Sequence, residues 1–160
     1  MEKTTMLKTF IAGIGAFLSA KLGLLWFLLP FLLGSMIVDY ITGMTAAKKE
    51  NKTNSKTGMW GIVKKLCYGI EVLIGITVDW LIIKVCDSIG VNFPTVTFFG
   101  LLVAIWLIIN ELISILENLT RIGVAMPPFL LKIVSTFKVA VEQSGNNLVD
   151  NAEKSINKEE

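Results

Sequence analysis

Histidine is absent from this 160-residue chain, and there are only two cysteines, Cys67 and Cys86. The first absence removes the commonest general base and metal ligand. The second excludes a disulfide scaffold. On one helix the two thiols would stand roughly 28 Å apart at ~1.5 Å rise per residue, far beyond bridging distance. They read as small apolar packing residues. Charge is also scarce: 18% of residues are charged and 53% are hydrophobic, whereas a soluble domain carries roughly a quarter charged residues. No phosphate loop, no paired Ser and His and no metal-spaced cluster is present. Gly13 and Gly15 form a GxG without a preceding strand or a third glycine, which argues against dinucleotide binding. Nothing points to an enzyme, a cofactor, a metal site or a nucleic-acid partner.

What the chain does have is long apolar runs, and these make it an all-α integral membrane protein with one small helical bundle. Between two such runs lies KKENKTNSKTGMWGIVKK, with Lys48, Lys49, Lys52, Lys56, Lys64 and Lys65 against one glutamate. Clustered lysines resist translocation, so this stretch sets the topology and stays on the cytoplasmic side. It could also attract anionic lipid headgroups.

The expected order follows from the apolar pattern. Residues 1–21 form an apolar or amphipathic helix that lies in or dips into the membrane. A cleavable signal peptide fits poorly, because a cut after Ala20 puts Leu18 where a small residue belongs. The small residues Ala12, Ala16 and Ala20, with Gly15, Ser19 and Gly23, recur every four positions and permit close helix approach. Residues 22–46 form a span kinked at Pro30, followed by the basic loop 47–60. A second span covers 61–86, an external turn 87–94, and a third span 95–118, with Pro94 suited to its start. Residues 119–143 form a cytoplasmic amphipathic segment broken at Pro127-Pro128, and 144–160 a polar disordered tail. Three helices cross, or four if the first segment does; the C-terminus stays inside. Trp60 suits an interfacial belt, and Trp26, Trp80 and Trp106 read as lipid-facing bulk.

A charge at mid-membrane costs roughly 2.5–3.5 kcal/mol on insertion scales. Yet Asp39, Glu71, Asp79, Lys84 and Glu111 lie at or near membrane depth. On the third span Asn110, Glu111, Ser114, Glu117 and Asn118 share a sector of roughly 120°, taking about 100° per residue. The opposite face is apolar. Two readings are open. The acids pair with Lys84, the one cation expected at that depth, inside a closed bundle; or they meet partners in other copies, or water, once many subunits assemble.

DYITG (39–43), the lysine-rich loop, GIVKK (61–65), NELISILEN (110–118) and IGVAMPPFLLK (122–132) together resemble the toxin-secretion and phage-lysis holin family. That family includes holin-like proteins found beside large clostridial toxin genes, and the likeness runs from about residue 22 to 138. It implies a homo-oligomer in the bacterial cytoplasmic membrane that opens lesions through which an endolysin or a toxin crosses. Partners would then be further copies, membrane lipids and that cargo protein. The motif residues carried over are Asp39, Tyr40, Thr42 and Gly43; Gly61, Lys64 and Lys65; and Asn110, Glu111, Ser114, Glu117 and Asn118. The doubled Pro127-Pro128 is heavier than the family pattern and leaves the orientation of the last helix open. Met6 offers a second start that would give a form without Glu2 and Lys3. Two other classes compete: a small ion-selective channel or transporter, and a membrane scaffold that permeabilises nothing.

Overall fold

The computed structural model describes residues 2–91 and 97–156, and every element in it is a helix. They are α1 (Glu2–Leu22), α2 (Leu24–Lys49), α3 (Ser55–Ser88), α4 (Phe98–Ile122) and α5 (Pro128–Ile156). Local chemistry sets the breaks. Gly23 takes φ 52, a left-handed value that separates α1 from α2. Asn54 caps α3 by accepting from the Lys56 N–H at 3.0 Å. Gly123, at φ 93, ends α4 in the left-handed conformation that suits a helix C-terminus, and Pro128 opens α5.

Helix α4 is the hub. It packs on α2, α3 and α5, whereas among the described helices α1 packs on α2 alone. The core is thin and apolar: Leu25 and Leu32 of α2, Val72 of α3, and Ala104 and Leu107 of α4. Large apolar side chains such as Phe10, Phe17, Phe27, Phe31, Ile70 and Leu73 point outward. That inversion suits a bundle whose solvent is lipid. By length and composition four helices can cross a membrane: Thr4–Leu22, Leu24–Lys49, Gly58–Ser88 and Phe98–Ile122.

Several boundaries differ from expectation. The basic loop shrinks to residues 50–54, because α2 runs on to Lys49 and α3 begins at its Asn54 cap. Asp87 and Ser88 belong to α3, while Pro94 and the rest of 92–96 lie outside the described residues. The tail expected to be disordered from 144 is helical to Ile156, and 157–160 lie outside the described residues. Low hydrophobicity predicts weak packing. It does not stop a nucleated helix from propagating, since each added residue gains a bond. Instead of leaving along the surface, α5 turns back and packs on α4.

A close backbone approach joins α3 to α4. A Cβ built on Gly75 would stand 2.9 Å from the Gly100 Cα and 3.0 Å from the Phe99 carbonyl oxygen. Backbone cannot rotate away, so Gly75→Ala should lose about 1–3 kcal/mol to overpacking. Gly69, on the same helix with nothing within 4 Å, supplies the control. Thermal unfolding of the detergent-purified protein should fall for Gly75→Ala and stay unchanged for Gly69→Ala.

Candidate functional site

Three spanning helices each turn one ionisable side chain inward at the same level. The Lys65 ammonium of α3 donates to Asp39 Oδ2 of α2 at 2.8 Å and also to Glu111 Oε2 of α4. Glu111 is 3% exposed, and the Lys65 and Asp39 side chains are about as sheltered as each other, at 14% and 15%. Two carboxylates thus share one cation. The other oxygen of Asp39 accepts from Asn118 Nδ2 at 3.0 Å. Arg121 Nη1 then donates to Asn118 Oδ1 at 3.1 Å.

From there the column reaches the basic end of the bundle. Arg121 grips both oxygens of Glu50, at 2.8 and 3.1 Å. Lys52 approaches Glu50 at 3.4 Å, and Lys49 donates to the Ile122 carbonyl at the C-terminus of α4. The polar groups therefore form one continuous chain from Glu111 to the lysine-rich end. In the other direction Leu107, Ala104, Val72, Leu32 and Leu25 close it off.

A second buried acid lies beyond that apolar layer. Asp79, 5% exposed, accepts from the backbone N–H groups of Phe99 and Gly100, each at 2.8 Å. A carboxylate from α3 thus caps the start of α4, where unpaired N–H groups and the helix dipole favour negative charge. Thr97 donates to the Leu22 carbonyl at 3.0 Å and ties the same end to α1. No buried side-chain nitrogen or oxygen among the described residues lacks a hydrogen-bond partner.

The sequence profile of the bacteriophage holin family matches residues 16–139. The chain belongs to the bacteriophage holin family. That is a family of membrane-permeabilising proteins, not of enzymes. The chain is similar, at 33% identity, to an uncharacterised protein of Halalkalibacterium halodurans, over 83% of this chain and 94% of that one. An uncharacterised Bacillus subtilis protein is 35% identical over 74% of this chain and 77% of its own. A protein of Bacillus phage phi105 named as a probable holin is 33% identical over 69% of this chain and 70% of its own. No solved structure matches.

In this holin-family chain the separated motif segments converge. DYITG supplies Asp39, and its Gly43 leaves room for Asn118, whose Nδ2 would sit 3.4 Å from a Cβ there. Thr42 lies 3.5 Å from the same amide. GIVKK supplies Lys65, and NELISILEN supplies Glu111 and Asn118. Tyr40 is half-buried, its hydroxyl 3.9 Å from the Cβ position of Gly58.

Other candidates stay apart. Lys84 is exposed, and no hydrogen bond or ion pair reaches it among the described residues; the cation that serves the acids is Lys65, placed by sequence among the topology-setting lysines. Glu117 is exposed, and Asn110 and Ser114 are half-buried outside the cluster. Glu71 is half-buried beside the α4·α5 cleft. Lys48, Lys56 and Lys64 face outward. The small residues of α1 find no partner among the described residues: Ala12, Ala16, Ser19 and Ala20 are exposed, and nothing lies within 4 Å of a Cβ at Gly15 or Gly23. Arg121 and Glu50, which complete the column, were missed. Their signal is end position alone, a cation closing α4 and an acid just past α2.

Glu50 gives a pH test. The Arg121 guanidinium, with Lys52 nearby, holds its carboxyl down to about 2 from the ordinary 4.5. A depressed pKa means the contribution to stability is whole above pH 4.5 and fades as pH falls toward 2. Wild type should lose thermal stability between pH 5 and 2.5, and Glu50→Gln should lose less over that window. The difference will be small, since exposed pairs contribute little.

Proposed function

We propose that this chain acts as a holin. It accumulates in the bacterial cytoplasmic membrane, self-assembles, and opens lesions through which an endolysin or a toxin crosses. The observation that carries the reading is convergence. Segments scattered over 80 residues of a holin-family chain meet in one sheltered ion cluster between three spanning helices.

That cluster lets each subunit insert and wait. Its acids are neutralised or hydrogen-bonded within the chain, so a dispersed subunit keeps the Asp39 and Glu111 carboxylates away from lipid. The apolar layer beyond Glu111 interrupts the polar column among the described residues, which speaks against a one-subunit ion channel. The lysine-rich end is cytoplasmic on this reading, and α5 leaves α4 on that side, so the C-terminus of a dispersed subunit is cytoplasmic too. A single residue separates α1 from α2, shorter than the usual two-to-five-residue helical hairpin. Hence α1 lies against the outer leaflet instead of crossing as a fourth span, and its small-residue ridges contact neighbouring copies.

The test is induced expression in bacteria with and without an endolysin that lacks its own export signal. Turbidity and release of a folded cytoplasmic enzyme are followed. Abrupt lysis should require both proteins. Depolarisation without enzyme release would identify a small ion pore, and no effect on either would leave only a scaffold.

A further inference from the structure

Docked as it is, α5 runs the depth of the membrane. Trp106 Nε1 donates to Glu142 at 2.9 Å, and the Lys138 ammonium sits 5.5 Å from the centre of the Trp106 ring. A Cβ on Gly145 would lie 3.2 Å from the Leu102 side chain. Leu102 precedes Ile122 by twenty residues, roughly 30 Å at 1.5 Å per residue. That is about the full thickness of a hydrocarbon core. Yet α5 is not among the helices apolar enough to cross.

The two sides of α5 show why. Leu131, Val134, Lys138, Val141 and Gly145 recur at three- and four-residue steps and are half-buried toward α4. About half a turn away, at roughly 100° per residue, lie Thr136, Ala140, Gln143 and Asn147, all exposed. A side-chain amide is costly to move from water into hydrocarbon that cannot bond it. Gln143 and Asn147 carry such amides, and Thr136 on the same face donates to the Lys132 carbonyl at 2.8 Å, so this face is unsuited to lipid tails. Where α5 is docked along α4, its outer face must therefore meet water.

We propose that α5 forms the water-facing wall of the holin lesion, an inference that rests on the reading above. In dispersed subunits α5 lies on the cytoplasmic surface. On assembly it docks in the groove beside Leu102, Val103 and Trp106 and turns Thr136, Ala140, Gln143 and Asn147 to the lumen. The Asp39–Lys65–Glu111 cluster stays closed throughout, so each subunit brings a polar wall without exposing its ion pairs. This assigns the lumen to α5 and not to the buried edge of α4.

The experiment uses full-length protein with Cys67→Ala and Cys86→Ala, carrying Leu102→Cys and Gly145→Cys. It is reconstituted in vesicles of phosphatidylglycerol and phosphatidylethanolamine loaded with a folded fluorescent protein. Linked by a short bifunctional thiol reagent, it should release that protein within about two-fold of the unlinked rate. Retention by the linked form alone would mean that α5 must leave α4 for lesions to open, and would overturn the proposal. Failure to link in releasing vesicles would overturn it as well. If the unlinked protein also retains its cargo, while linking occurs, the holin reading itself falls and takes this inference with it. A charge reads the same face without a reagent, should the cysteine pair fold poorly. Ala140→Lys should leave release within about two-fold, whereas Phe31→Lys on the exposed apolar side of α2 should abolish it. Equal loss in both would put the outer face of α5 against lipid.

Discussion

Lys65→Met should be the most damaging single substitution in the spanning bundle, with membrane accumulation and cargo release both lost. Lys65 is the one ammonium between Asp39 and Glu111. Without it two carboxylates face each other in a site where Glu111 is 3% exposed. Breaking a buried pair by removing one partner costs about 3–5 kcal/mol, because the remaining charge has nothing to replace it. Here two charges remain. The opposite change should be mild. Glu111→Gln leaves one lysine with one aspartate, a balanced pair, and keeps a hydrogen-bond acceptor near the ammonium. Lys84→Gln, on an exposed side chain, should alter neither accumulation nor release. The measurement is the amount of protein in the membrane fraction, followed by the time to enzyme release. Wild-type values for Lys65→Met would remove the cluster from any structural role.

That contrast between Lys65 and Lys84 also marks what the sequence could and could not tell. The apolar runs made α2, α3 and α4 legible, because lipid demands about twenty apolar residues per crossing. The polar segments DYITG, GIVKK and NELISILEN were legible too. Their meeting was not, because helical phase decides it. On α3, Lys65, Tyr68, Val72, Gly75 and Asp79 fall at three- and four-residue steps on the face toward the bundle. Lys84 lies about 150° off that line, at roughly 100° per residue. Grouping Lys65 with its neighbour Lys64 concealed this. On α4 the predicted polar sector was real but too broad: Glu111 and Asn118, seven residues apart, lie at its buried edge, and Glu117 at its exposed one. Composition misjudged the tail for a different reason. It measures what a segment can bury, whereas α5 gains its hold from the half that contacts α4.

Asp79→Leu should follow Lys65→Met in severity, with a lowered unfolding temperature in detergent and several-fold less protein in the membrane. Asp79 has no side-chain cation beside it among the described residues; its partner is the start of α4, where unpaired N–H groups and the helix dipole favour negative charge. It accepts from Phe99 and Gly100 at 2.8 Å each, and hydrogen bonds to charged groups are worth about 1.5–3 kcal/mol apiece. A leucine leaves both N–H groups unpaired beside the Gly75·Gly100 crossing, where the backbones are too close for water or another side chain to substitute. Asp79→Asn keeps one acceptor oxygen and should retain about half of the lost stability, although it carries no charge at all. The order wild type, Asn, Leu in unfolding temperature is the signature of a cap. If Asn and Leu fall together, the negative charge matters for something other than these two N–H groups. If Asn matches wild type, the helix dipole contributes little and the hydrogen-bond acceptor suffices. The cap and the lysine cluster sit at opposite ends of the same apolar layer, one clamping α3 to the start of α4 and the other clamping α2 and α3 to its second half. Losing either frees one end of α4, and α4 is the helix on which α2, α3 and α5 all rest.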